Sequence, residues 1–78
     1  MNIKEKFGER VREIRKERKI SQEELADLAH LDRTYVNSVE NGKRNISIEN
    51  VEKIARALNC TIQEFFTSEN FNKKNGKK

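Results

Sequence analysis

The sequence predicts an all-α domain of five short helices. Three observations carry that prediction. Proline is absent and glycine occurs only at positions 8, 42 and 76. Apolar residues recur at three- and four-residue steps, not at the two-residue step of a strand. Helix-start signatures, with Ser, Thr or Asp ahead of an apolar-periodic segment, recur along the chain.

The first helix is expected from residue 4 to about residue 18, where Phe7, Val11, Ile14 and the stem of Arg18 form one stripe. Its other faces carry Glu9, Glu13 and Glu17 against Arg10, Arg12 and Lys16, and read as a solvated surface. Ser21 and Glu24 fit a capping box, with the serine bonding the third amide and the glutamate reaching back. The second helix then points Leu25, Ala26, Leu28 and Ala29 inward. Asp32 is the next N-cap, its carboxylate expected on the free amides of a third helix. That helix runs through Val36 and Val39 to Asn41, and Gly42 supplies the left-handed stop. Ser47 caps a fourth helix with an inward stripe of Ile48, Val51, Ile54, Ala55 and Leu58. Thr61 and Glu64 form a second capping box before a short fifth helix containing Ile62, Phe65 and Phe66.

Composition bounds the function. The chain has 78 residues, enough for one small domain, expected over residues 1–69. Residues 70–78 are expected to be a disordered basic tail. Apolar runs never exceed two residues, so no segment suits a membrane span or a secretory leader. Cys60 is the one cysteine, so no internal disulfide forms, and with His30 it is too little for a zinc site. A reducing, cytoplasmic setting is expected. No metal or other cofactor is called for, and no small-molecule ligand. Paired carboxylates, a nucleophile–base set and a phosphate-binding loop with lysine are all missing, which argues against an enzyme.

The net charge is +4, and Lys73, Lys74, Lys77 and Lys78 supply all of it. Electrostatic arguments must therefore rest on distribution. Residues 20–32 hold four acids and no base, and residues 49–70 hold four acids against two bases. Between them, residues 33–48 hold Arg33, Lys43 and Arg44 against Glu40. A basic island lies at the third helix and the loop after it.

The stretch from Gln22 to Asn41 has the spacing of two helices meeting steeply across a short turn. Ala26 is small where the helices cross, and Leu31 plugs the turn. In helix-turn-helix geometry the second helix of such a pair enters the DNA major groove. Its exposed face would be Arg33, Thr34, Asn37 and Ser38, side chains suited to base edges. Tyr35 and Asn41 flank that face. The loop Asn41-Gly42-Lys43-Arg44-Asn45 has two cations and no acid, and is suited to phosphate, with Asn41, Lys43, Arg44 and Asn45 as its contacts. Gln22 opens the second helix, where free amides favour an anion.

The run Ser21-Gln22-Glu23-Glu24-Leu25-Ala26, with Val39-Glu40-Asn41-Gly42-Lys43, resembles the lambda-repressor-like (XRE) helix-turn-helix family. Leu31-Asp32-Arg33-Thr34-Tyr35, followed by Asn45-Ile46-Ser47, is similar more narrowly to controller proteins of restriction–modification systems. The resemblance covers roughly residues 5–67. It implies a five-helix domain that binds pseudo-palindromic operator DNA as a homodimer. It places Gln22, Tyr35, Lys43, Arg44 and Asn45 on phosphates, and Arg33, Thr34, Asn37 and Ser38 on bases. It also implies an ion pair between Arg15 and Glu40, tying the first helix to the end of the recognition helix. A controller would activate its operon from one site and repress it from another. The family usually carries glycine where this chain has Lys19 and His30.

Other readings stay open on sequence. A phage-type repressor or an antitoxin-type autorepressor fits the same motifs. A helical protein-interaction module fits the fold but leaves the basic loop unexplained. His30 reads as a turn residue and Cys60 as a small buried one. Ile62, Phe65 and Phe66 exceed what a tiny domain can bury and are expected at the dimer interface.

Overall fold

The computed structural model describes residues 1–68 and residue 71. The described residues form five helices: α1 (Ile3–Glu17), α2 (Gln22–Ala29), α3 (Arg33–Glu40), α4 (Ile48–Ala57) and α5 (Ile62–Phe65). The predicted tail lies outside the described residues except for Phe71, whose ring meets the edge of Phe66 at 4.9 Å.

Local rules set most boundaries. The Ser21–Glu24 and Thr61–Glu64 capping boxes are both closed. A third closes between Asn2 and Glu5, so α1 begins one residue earlier than its apolar stripe indicates. Asp32 departs from expectation. It has the backbone of an N-cap, but its carboxylate makes no capping bond.

Helices α1 to α4 all end in the same way. A residue in the left-handed region follows the last turn, and the next amide bonds back to the carbonyl five residues earlier. The pairs are Ile20 to Arg15, Leu31 to Ala26, Lys43 to Ser38 and Cys60 to Ala55, at 2.8–3.2 Å. This is the Schellman stop. The turning residues are Lys19, His30, Gly42 and Asn59, with φ of 60°, 57°, 73° and 58°. Lysine and histidine carry a Cβ into a conformation that costs about 1 kcal/mol or more relative to glycine. Lys19→Gly and His30→Gly are each expected to stabilise the domain by about 1 kcal/mol. Thermal unfolding should show Tm rising by about 4–8 °C; a fall would contradict this account of the turns.

The core gathers Phe7, Val11 and Ile14 of α1, Leu25 and Ala26 of α2, Val36 and Val39 of α3, and Val51, Ile54, Ala55 and Leu58 around α4. Helix α3 packs on both α1 and α2, which fixes its tilt. Gly8 is buried where α1 crosses the end of α3.

Three apolar expectations are corrected. Leu28 and Ile48 point outward, 57% and 79% exposed. Both sit at helix ends that overhang the core, where periodicity alone does not decide burial. Phe65 is fully buried, with its ring 5.0 Å from Phe7, and so belongs to the monomer core and not to a dimer interface. Ile62 remains 44% exposed, and Phe66 is half-buried. Burial pushes the Cys60 thiol up, which suits a small packed residue and not a nucleophile.

The charged face of α1 is also more than solvated surface. Arg10 donates to the carbonyls of Phe65 and Glu64 at 2.7 and 2.9 Å, and Arg18 to that of Leu58 at 3.0 Å. Both guanidinium groups satisfy orphan carbonyls at the ends of α5 and α4. Among the described residues, no helix is long and apolar enough to cross a membrane.

Candidate nucleic-acid interface

Helix α3 exposes Arg33, Thr34 and Asn37 to solvent, with Ser38 half-covered beside them. The opposite side, Val36 and Val39, is buried, so the polar face has one orientation. The four side chains expected to face base edges therefore do share one surface. Ser38 is the least available, and its carbonyl takes the Lys43 amide at 3.0 Å.

Glu40 would spoil this surface if it were free. Its side chain is fully buried and chelated by Arg15, with Nε to Oε2 at 2.6 Å and a second nitrogen to Oε1 at 3.1 Å. Gln22 Nε2 donates to Oε1 at 3.0 Å, and Arg12 adds a longer contact at 3.5 Å. Burial alone would push the Glu40 carboxyl up; the bonds from Arg15, Gln22 and Arg12 outweigh it and hold it below the usual carboxylate range. Bonding to Glu40 raises Arg15 in turn. Arg15 also donates to the Ile20 carbonyl at 2.9 Å, so the same side chain ties α3 to the turn after α1. The acid on the recognition helix is thus removed from any phosphate.

Of the residues expected on phosphates, Asn41 and Tyr35 accept from neighbouring side chains, whereas Gln22 donates to one. Gln22 commits one amide hydrogen to Glu40 and keeps the other, together with the free amides of the first turn of α2. Asn41 Oδ1 accepts from Arg12 at 3.2 Å, which leaves the donor end of its amide uncommitted by that bond. Tyr35 Oη accepts from Asn50 Nδ2 at 3.1 Å. Arg44 lies over the Tyr35 ring, 5.0 Å from its centroid. Lys43, Arg44 and Asn45 are exposed along one loop. Donors and cations therefore line an edge that runs from α2 past α3 to α4.

Comparison with known proteins fits this geometry. The helix-turn-helix family model matches residues 11–65. The control protein C.MunI of Mycoplasma sp. is 48% identical over 67 residues, covering 85% of this chain and 90% of its own. This chain belongs to the helix-turn-helix family, among its restriction–modification controller proteins. Controller protein C.BamHI of Bacillus amyloliquefaciens is 48% identical over 58 residues, covering 73% of this chain and 72% of its own. The crystal structure of controller C.AhdI from Aeromonas hydrophila superposes with a TM-score of 0.78 at 49% identity, covering 81% and 96% of the two chains. A C.Esp1396I controller, solved as a tetramer with its 35-base-pair operator, superposes at 0.81 with 33% identity, covering 85% and 87%.

Two residues of this candidate interface carry no clear signal in the sequence. Arg12 reads as part of a solvated helix face, yet it reaches Glu40 and Asn41, twenty-eight and twenty-nine positions away. No local pattern signals such a contact. Asn50 did leave a trace: it follows Ser47 by three residues, where the other capping boxes have glutamate.

Proposed function

We propose that this chain binds pseudo-palindromic operator DNA as a homodimer and regulates transcription as a restriction–modification controller. The observation that carries this is the acid-free face of α3, made so by the burial of Glu40. Arg33, Thr34 and Asn37, with Ser38 at the edge, face the bases. Gln22, Tyr35, Asn41, Lys43, Arg44 and Asn45 face phosphates. Ile62, exposed on α5, and Phe66, half-buried just after it, meet the second copy. Two α3 helices of a dimer would then enter successive major grooves about 34 Å apart.

The two contact classes are separable. Arg33→Ala is expected to cost about 1–3 kcal/mol on operator DNA and to relax preference at one base pair. Lys43→Ala is expected to weaken all DNA alike and to lower the salt slope by roughly one. Binding isotherms on operator and scrambled duplexes at several salt concentrations read both. Equal losses on both duplexes for Arg33→Ala would overturn its base-reading role.

A further inference from the structure

We propose that Asn50 is a positioning residue that aims the Tyr35 hydroxyl proton at the DNA backbone. The argument is one of donors and acceptors. A phenol has one proton to give. The amide nitrogen of Asn50 can only donate, and it donates to Tyr35 Oη at 3.1 Å. The Tyr35 proton is therefore not used on Asn50 and remains to donate elsewhere. Phosphate oxygens only accept, so a tyrosine fixed in this sense is ready for a phosphate, whereas one donating inward is not.

The placement of the pair is specific. Three helices, α1, α2 and α5, carry glutamate at their third position and spend it on a capping box. Helices α3 and α4 do not. Their third residues are Tyr35 and Asn50, and these bond to each other instead. The Asn50 main chain is already capped by Ser47 Oγ at 3.1 Å, which holds its side chain at the start of α4. Arg44, itself exposed, covers the Tyr35 ring from the loop side and sets a cation beside the half-buried phenol. Asn50 is half-buried and needs no contact with DNA to act.

The inference rests on the proposed DNA-binding face, and the test separates the two. Asn50→Asp replaces the donor by an acceptor of the same shape, which turns the Tyr35 proton inward. Operator affinity should fall about tenfold. In a Tyr35→Phe background, where no phenol proton exists, the same substitution should cost less than about threefold. The salt slope should stay unchanged by the Tyr35-dependent part, because a neutral donor displaces no counterion. Equal losses in both backgrounds, or a slope lowered by one through capture of Arg44, would overturn the role of Asn50. If Tyr35→Phe and Arg33→Ala both leave operator binding intact, the DNA face itself is wrong. Thermal unfolding of each variant confirms that binding is compared between folded proteins.

Discussion

Glu40→Ala is expected to remove a large share of the stability of this domain. The side chain is fully buried, and it is the common acceptor for Arg15, Arg12 and Gln22. Its loss leaves the Arg15 guanidinium, only 13% exposed, with two nitrogens unpaired. Breaking a buried pair from one side costs about 3–5 kcal/mol, because a desolvated charge is left without its partner. A chain of this length has a total stability of roughly 4–12 kcal/mol. Calorimetry or circular dichroism should therefore show a Tm loss of more than about 12 °C. Arg15→Met with Glu40→Leu should recover part of that loss, since removing both charges leaves neither orphaned. A Glu40→Ala protein with the parental Tm would contradict the network.

The same network has a pH signature. The folded Glu40 carboxyl lies below its ordinary range, so folding favours the ionised form. Its contribution is complete above the ordinary carboxylate range and is lost as pH falls through the lowered folded value. Stability should drop on the acid side, and Glu40→Gln should flatten that drop.

Much of this was legible because it is local. Ser21 with Glu24 and Thr61 with Glu64 encode helix starts within four residues, and no distant contact is needed to read them. The exposed face of α3 was legible by elimination, once Val36 and Val39 fixed the buried side. Leu28 and Ile48 share the apolar spacing of Leu25 and Val51 but lie near helix ends, where spacing does not settle burial. Phe65 was placed at an interface because sequence shows that an aromatic is apolar, not that Phe7 lies 5.0 Å away to cover it. The arginines of α1 show the deeper limit. Arg10, Arg12 and Arg18 look alike in sequence, yet they close the ends of three different helices, α5, α3 and α4. Which carbonyl each one meets is a property of the assembled fold.

Gly8→Ala is expected to destabilise the domain, against the usual helix preference. Alanine in a helix interior is favoured over glycine by about 1 kcal/mol, so on α1 alone the substitution would stabilise. The crossing with α3 reverses the sign. A Cβ at position 8 would lie 2.2 Å from the Val39 carbonyl oxygen and 2.8 Å from that of Glu40. Neither atom is free to retreat. The Val39 oxygen holds the Gly42 amide at 3.0 Å in the Schellman stop, and the Glu40 oxygen takes a bond from Arg12. Relief must come from moving α1 off α3 as a body. Overpacking of this kind costs about 1–3 kcal/mol, occasionally more, and contact with fixed backbone puts it at the upper end. The net loss is expected near 2 kcal/mol. Moving α1 also draws Arg12 and Arg15 away from Glu40, so operator affinity should fall beyond what the fraction unfolded explains. Lys16→Ala, on the exposed side of the same helix, should stay within about 0.5 kcal/mol and serves as the reference. A Gly8→Ala protein more stable than the parent would mean that the helices do not cross at Gly8. The support that α1 gives the recognition helix would then have to lie elsewhere.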